Sequence, residues 1–439
     1  MRLVILADDF TGAIDTGIQF AKQGVATGLY QEFSTLRTAL QENEKEVYVV
    51  NTETRHLSAE EAYNTIYCYT DIAVEAEVDG ILKKTDSGLR GNIGSELAGI
   101  LNATSIKIVP FIPAYPQMNR ITIGGIHYID GIPIHQSVFG SDPFEPVKTS
   151  KIKDLIQYRE MLVHNLTKQD IEKSIFPHEG ILIFDAQTKE DIQEIIDSLY
   201  NRQKLFVVAG CASLGSVLAE KFYCFKEKRL QRKFPNNFLV VCGSVNDRTR
   251  KQVEFAQKHG FFRESFSVIE LLDHEKSNSE VQKNKLINLK NQCEKGVPCI
   301  IDTGLCLQKD AFAYCDRESV SMVEIGSRIA RELGTIVGWL VKQKIHAVIM
   351  VIGGDTLQGV IKNLSCEKLQ LYDELAPGVA LCGVQWDKNE QLLITKSGGF
   401  GKEELLTELR EQLLKVDGGQ YDKDSINKRN HSTNYYTNG

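Results

Sequence analysis

Short apolar runs alternate with longer segments whose apolar residues recur every three to four positions, from the first residues to about residue 410. The runs predict strands buried on both faces, the amphipathic segments predict crossover helices, and together they predict parallel sheets. In the first half the predicted strands are Leu3 to Ala7, Ala26 to Tyr30, Glu46 to Asn51, Gly80 to Lys84, Ile106 to Pro110, Ile181 to Asp185 and Leu205 to Gly210. The second half restarts with Phe238 to Cys242, Ser265 to Val268, Cys299 to Asp302, Val348 to Ile352, Ala380 to Val384 and Leu392 to Thr395. Helices fit between them. In Gly12 to Gln23 the residues Ile14, Ile18 and Ala21 form one stripe before Gly24 ends the helix. Ser58 to Glu75 opens with a capping serine followed by Glu60 and Glu61, which suit a helix amino terminus. Further helices are expected over Arg248 to His259, Glu280 to Lys295, Met322 to Lys342 and Glu403 to Leu414.

The rhythm breaks between Ile112 and Ser150, where Pro113, Pro116, Pro133, Pro143 and Pro146 stand among glycines and a hairpin is predicted around Asp130 and Gly131. Irregular stretches of this length inside a domain are usually functional. Phe225 to Asn237 is charged, carries Pro235 and lacks an apolar stripe. A linker over 226–237 is therefore expected between a domain of residues 1–225 and one of 238–415, as a chain of 439 residues is too long for one ordinary core. Beyond Val416 aliphatic residues nearly vanish, which predicts a disordered tail over 416–439. The fold class expected is α/β, with two mostly parallel sheets, crossover helices and an active-site cleft between the domains.

Composition narrows the partners. A net charge of -7 argues against a nucleic-acid ligand, because a phosphate backbone demands a basic stripe, and the short run from Lys226 to Lys233 suits a solvated linker better. The ten cysteines are scattered through mainly apolar segments, as at Cys211, Cys242, Cys299 and Cys382, and read as buried thiols in a reducing compartment. No C-x-x-C pair or H-E-x-x-H motif points to zinc. The apolar start MRLVILADD is too short for a signal peptide or membrane span. The expectation is a cytoplasmic protein without a membrane partner, for which a homodimer would be unsurprising.

The densest polar cluster follows a strand, in the stretch ILKKTDSGLRGNIGSEL from Ile81 to Leu97. Open α/β sheets bind ligands at the carboxyl ends of their strands, so Lys84, Thr85, Asp86, Ser87 and Arg90 are candidates for holding an anionic, hydroxylated molecule. Asp8 and Asp9 leave the first strand in ADDFTGAIDTG. One of the two can cap the next helix, which leaves the other to explain, and Asp9 is favoured as a ligand group. Arg55 and His56 leave the third strand in TETRHL. Parallel strands would bring these clusters together, and guanidinium forks suit carboxylates, so the set resembles a pocket for a small sugar acid. In the second half, Gly353, Gly354, Asp355 and Thr356 join a strand to a helix. Gly243 with Ser244, and Gly398, Gly399 and Gly401, make two similar turns. Such turns can cradle the phosphates of a nucleotide, although no Walker motif is present.

With these residues in view the chain up to about residue 410 resembles the four-carbon acid sugar kinase family. The resemblance is carried, in order, by ADDFTGAIDTG, KTDSGLRGNIGSEL, PAYPQMNRITIGGIHYIDGIPI, FDAQTKEDI, GSVNDRTRKQ, GGDT, LAPGVALCG and TKSGGFG. It implies phosphorylation of threonate, erythronate or 3-oxo-tetronate with ATP, the acid held by the amino-terminal domain and the nucleotide by the carboxyl-terminal one. Carried onto matching positions, it places acid contacts at Asp9, Arg55, Lys84, Thr85, Asp86 and Ser87, with Arg90 nearby. Nucleotide contacts fall at Ser244, Gly353, Gly354, Asp355, Thr356, Gly398 and Gly399. Phosphoryl transfer to the terminal hydroxyl would use Asp86 as base or orienting group, Asp9 second, with Lys84 and Arg90 neutralising charge. Mg2+ is expected at the phosphates, with Asp355 as its protein contact.

The form KTDSGLRGN resembles the threonate and erythronate kinases rather than the 3-oxo-tetronate branch, associated with an S-T-F-D-S-T form of this loop. Gly88 stands where a threonine is common, and Asn119 where a glycine precedes the arginine. Other readings are a kinase of 3-oxo-tetronate or a five-carbon aldonate, a non-catalytic sensor of sugar acid and nucleotide, and a dehydratase or aldolase whose two aspartates hold a metal.

Overall fold

Strands such as Leu3–Ala7 (LVILA) and Val47–Asn51 (VYVVN) are buried along their whole length, as parallel strands covered on both faces must be. The computed structural model describes residues 1–142, 145–173, 175–223, 234–243, 246–273, 280–304, 307–386 and 389–415. Among them, those of Met1–Lys226 with Glu367–Asp373 form one compact unit, and those of Glu227–Cys366 with Glu374–Gly439 form another. The expected linker over 226–237 lies outside the described residues up to 233. The expected tail over 416–439 lies wholly outside them.

The first unit contains β1 Leu3–Ala7, β2 Thr27–Tyr30, β3 Val47–Asn51, β4 Gly80–Lys84, β5 Ile108–Ile112, the hairpin strands β6 Arg120–Ile123, β7 Ile126–Ile129 and β8 Ile132–Pro133, then β9 Val163–Leu166, β10 Gly180–Phe184 and β11 Val207–Gly210. Its main sheet runs β2-β3-β1-β4-β11-β5-β10-β9, with every pairing parallel. The hairpin strands form a small antiparallel sheet of their own. The second unit contains β12 Asn237–Cys242, β13 Phe262–Ser265, β14 Cys299–Asp302 and β15 Ala347–Ile352, followed after β16 Lys368–Ala376 by β17 Val379–Trp386 and β18 Asn389–Lys396. Its strands run β13-β14-β12-β15-β18-β17, parallel except for the last pair. Residues Lys368–Leu371 of β16 belong to the first unit and pair antiparallel with its β2.

The order β2-β3-β1-β4 recurs as β13-β14-β12-β15. In each case the chain leaves the first strand toward one side and later returns to its other side, so a crevice opens between the carboxyl ends of β1 and β4, and of β12 and β15. Open α/β sheets bind ligands at such switch points. In the first unit α1 (Phe10–Ala21) packs against the helix Ala212–Phe222, while α2 (Phe33–Gln41) and α4 (Ile93–Ala103) pack against α3 (Ala59–Glu75).

Several boundaries move for local reasons. Helix α1 starts at Phe10 rather than Gly12 because Asp9 is its cap. Ser58 and Glu61 form a reciprocal capping box at α3, so that helix begins where expected. The strand expected at Ser265 to Val268 instead spans Phe262–Ser265, because Ser267 and Glu270 form another capping box that starts the helix Val268–Leu272. The strand expected at Ile106 to Pro110 lies at Ile108–Ile112, and β9 and β16 were not anticipated. In β9 only Val163 and Leu166 are apolar and buried, and in β16 buried residues alternate with partly exposed ones, so neither shows a continuous apolar run.

Candidate functional site

Parallel register brings three of the predicted clusters level. Ala7 lies opposite Asn51 on one side and Lys84 on the other, and Lys84 lies opposite Gly210. The residues that follow therefore converge on one edge of the first unit. Arg55 sits in the short 3-10 turn Thr54–His56, entered through Glu53 in a left-handed conformation. From there its Nε donates to Asp8 Oδ2 at 2.8 Å, and one terminal nitrogen lies 2.8 Å from the same oxygen and 2.7 Å from Asp9 Oδ1. Lys84 Nζ lies 3.7 Å from Asp8 Oδ1 and 4.0 Å from Asp9 Oδ1. Gly12 makes room for this arrangement, because a Cβ there would collide with Asp9 Oδ1 and Lys84 Nζ.

The two adjacent aspartates divide the work differently from the expectation that one caps and Asp9 binds. Asp9 does cap α1, accepting from the Gly12 N–H at 3.1 Å, yet its side chain is 26% exposed. Asp8 has a side chain only 3% exposed and is the brace between Arg55 and Lys84. Burial alone would raise the Asp8 carboxyl, but Lys84 and Arg55 outweigh it and hold it below the usual range. Asp9 goes the other way: burial and the neighbouring Asp8 charge raise it despite Lys84 and Arg55. Burial by itself would lower the Lys84 ammonium, and Asp8 and Asp9 raise it instead.

Asp86 is gripped on its other side. Arg90 Nε donates to Asp86 Oδ2 at 2.6 Å, and Arg55 approaches Asp86 Oδ1 at 4.0 Å. Burial would raise this carboxyl, yet Arg55 and Arg90 depress it far below the carboxylate range. Thr85 is fully buried; its N–H donates to Gly210 O at 2.8 Å, and its hydroxyl has no hydrogen-bond partner among the described residues.

The proline-rich excursion folds over this loop, and sequence reasoning assigned none of its residues to the site. Arg120 donates to Ser87 Oγ, and His127 Nε2 lies 3.3 Å from the Ser87 carbonyl. A carbonyl only accepts, so Nε2 carries the hydrogen and Nδ1 accepts from the Thr122 hydroxyl 3.1 Å away. Burial pushes His127 down to about 4, which keeps the imidazole neutral. Asp142 takes a second bond from Arg90 at 3.0 Å. The Phe139 ring lies 5.1 Å from the Arg90 guanidinium and 5.0 Å from that of Arg120. Phe139 also explains Gly88: a Cβ at that position would collide with the ring. The density of prolines and glycines from 113 to 150 was the available signal; which side chains reach the loop was not readable.

In the second unit the three predicted glycine turns come level as well. Cys242 lies opposite Ile352, and Ile352 opposite Lys396, so Gly243, Gly353 and the Ser397 to Gly401 turn leave adjacent strands. Gly354, Asp355 and Thr356 form the first turn of the helix Gly354–Asn363, with Asp355 exposed and Thr356 buried against Gly243. Ser244 lies outside the described residues. Thr249 Oγ1 donates to Gly398 O at 2.7 Å, and Gln252 Nε2 to Phe400 O and Lys402 O at 3.0 and 2.8 Å. A Cβ on Gly399 would meet nothing within 4 Å.

Lys396 was not predicted. It is buried, and its ammonium donates to Ser397 O and Gly398 O at 3.0 and 3.1 Å. Burial pushes it down to about 8, with Arg248 adding to the shift. A lysine ending an apolar strand just before two glycines was the legible hint. Among the described residues no group of three or more His, Cys, Asp or Glu side chains is placed to hold a metal ion. No helix among them is long and apolar enough to cross a membrane.

A sugar-binding N-terminal domain family matches residues 3–218, and a nucleotide-binding C-terminal domain family matches residues 239–406. The chain is 27% identical to a D-threonate kinase of Salmonella typhimurium over 92% of its length and 97% of that protein. It is 26% identical to a D-erythronate kinase of Heliobacterium modesticaldum, covering 94% and 97%, and 20% identical to a 3-oxo-tetronate kinase of Haemophilus influenzae, covering 92% and 97%. Two crystal structures share the fold: a Salmonella typhimurium protein described as a tRNA synthase (TM-score 0.77, 19% identity, 94% and 98% covered), and a Haemophilus influenzae protein of a family of unknown function (0.74, 18%, 93% and 99%).

Gly88→Thr overpacks Phe139 and should destabilise the protein by about 1–3 kcal/mol in urea unfolding, with Phe139→Ala on the same background restoring most of the loss. Lys396 binds its proton less tightly folded than unfolded, so its stabilising share is complete above the free-lysine value of 10.5 and is lost as pH falls through about 8. Lys396→Met should flatten the rise in thermal stability across that window; an unchanged pH profile would place the amine in water.

Proposed function

The chain belongs to the four-carbon acid sugar kinase family, and from that premise we propose that it transfers the γ-phosphoryl group of ATP to the 4-hydroxyl of D-threonate or D-erythronate. It is an ATP-dependent sugar-acid kinase. The finer substrate assignment rests on the relatives' names and on the KTDSGLRGN form of the β4 loop. The observation that carries the acceptor reading is the convergence of Asp9, Arg55, Lys84 and Asp86 at the β1 and β4 switch point.

The cations of the cluster suit an anionic acceptor. Asp8, Asp9, Asp86 and Asp142 face Lys84, Arg55, Arg90 and Arg120, so the set is neutral when all are ionised. Against that balance the guanidinium forks of Arg55 and Arg90 are the groups suited to a substrate carboxylate. In the transfer step the 4-hydroxyl oxygen bonds to the γ-phosphorus, the bond to the β–γ bridging oxygen breaks, and the hydroxyl proton passes to a carboxylate. Asp9 suits that role better than Asp86. A base works best when its pKa approaches the working pH, and Asp86 is held far below it by Arg90 and Arg55. Asp86 instead orients Arg90 and Arg55, and with them the acid. This reverses the order in which sequence reasoning ranked the two.

On the donor side, Gly353, Gly354, Thr356, Gly398 and Gly399 offer backbone to the phosphates, and Lys396 holds the carbonyls of the last glycine turn. Mg2+ is commonly bound through one or two carboxylates plus substrate phosphates, and Asp355, an exposed carboxylate on a helix's first turn, fits that mode. When bound there, the ion neutralises phosphate charge.

A coupled assay of ADP release across four- and five-carbon acids tests the reading, with D-threonate or D-erythronate expected to give the highest kcat/KM. Binding of acid and ATP without turnover would favour the sensor. Asp9→Asn should lower kcat by about 10²–10⁴-fold, the usual worth of a general base. In the unaltered enzyme kcat should fall toward acid pH with a midpoint above the ordinary carboxylate range, because Asp9 must be ionised to accept the proton and burial raises it. Asp86→Asn should raise the acid's KM more than it lowers kcat; the opposite split would return the base role to Asp86.

A further inference from the structure

On the face of β4 opposite Lys84 lies a second set of charged groups that takes no direct part in the site. Lys83 is wholly buried, and its ammonium lies 3.1 Å from Oε1 of Glu96, which is 1% exposed on α4. Lys83 also donates to the carbonyl of Lys84 at 2.9 Å. Glu96 in turn accepts from the hydroxyl of Thr54, the first residue of the turn that carries Arg55. The Thr54 hydroxyl lies 2.9 Å from that of Thr52, which donates to the Ala7 carbonyl at 2.8 Å, immediately before Asp8. Asn92 holds the same turn from outside, donating to the carbonyls of Thr54 and Leu57 at 2.9 and 2.7 Å.

Stability alone does not account for these groups. A buried ion pair repays little of its desolvation cost, and well-packed apolar residues of similar volume often match or exceed it. Glu96 Oε2 is buried without a hydrogen-bond partner among the described residues, a further cost. What an apolar pair cannot supply is a directional link. The Glu96 carboxylate touches both the turn that carries Arg55 and the strand that carries Lys84, the two cations that close on Asp8 and Asp9.

We propose that Glu96, through Thr54 and Lys83, is a positioning residue that fixes the spacing of Arg55 and Lys84 across the acceptor site. This rests on the reading of that site as the sugar-acid site. It assigns work to a carboxylate that never meets the substrate.

The test compares steady-state ADP release and thermal melting for the full-length wild-type chain and Lys83→Met/Glu96→Leu, which replaces the pair by apolar side chains. The double variant should melt at or above the wild-type temperature. It should lose about 10²-fold in kcat/KM for the acid, the scale of an ångström-sized misplacement, while the KM for ATP stays within twofold. A folded double variant with wild-type acid kinetics overturns the proposal and makes the pair purely structural. An equal loss for acid and ATP overturns it too. Should the double variant not fold, Thr54→Val, which removes the hydroxyl joining Glu96 and Thr52 to the Arg55 turn and leaves Lys83 paired with Glu96, is judged by the same split. Wild-type chain that releases no ADP with any acid would sink the kinase reading itself, a failure visible before any variant is made.

Discussion

The charged cluster at the ends of β3, β1 and β4 depends on the ionised state of one buried carboxylate. Asp8, alone in that position, would lower its free energy by taking up a proton; between Arg55 and Lys84 it stays charged. Losing one partner of such a buried group typically costs about 3–5 kcal/mol, because the other is left uncompensated. The pairing is possible only because β3, β1 and β4 run parallel and end level, with Ala7 opposite both Asn51 and Lys84. Backbone register thus becomes electrostatic geometry.

That brace sets the behaviour of the carboxylates around it. Asp8 and Asp9 are neighbours in the chain and share the same cations, yet one is lowered and the other raised, since Asp9 feels the charge that Asp8 retains. Asp86, across the site, is lowered as well, held by Arg55 and by Arg90. Environments that push the affinities of nearby acids apart are how one site can hold both a fixed charge and a proton acceptor. The fixed charges organise Arg55 and Arg90; the acid that is raised, Asp9, is the one most exposed to a ligand.

Most of the sheet was legible because strands buried on both faces carry continuous apolar runs, and the polar residues that end such runs must gather at one edge. Asp9, Arg55, Lys84 and Asp86 were readable on that ground. Lys83 and Glu96 were not: a lysine inside a buried strand and a glutamate inside a helix look like solvated positions until the two elements are packed together. Nor were Phe139, Arg120 and Asp142, which come from an irregular excursion with no periodicity to show what it covers. Strand β16 escaped because its Leu369, Leu371 and Leu375 alternate with polar residues, the mark of a half-covered antiparallel strand in a chain read for continuous runs. The absence of a side chain at Gly88 was visible in the sequence; the ring that requires it was not.

The two units share the order of their first four strands but not the chemistry at their ends. In the first, side chains do the work: guanidinium and ammonium groups alternate with carboxylates, which suits a small ligand bearing one carboxylate and several hydroxyls. In the second, glycines bring the backbone close, and helix amino termini supply oriented N–H groups, which suits phosphates. A topology that places a crevice beside the first strand therefore determines where a ligand sits but not which one. The choice is made by a few residues just past each strand end. A glycine gives a phosphate room to approach the backbone, and an arginine held by two aspartates presents a fixed cation.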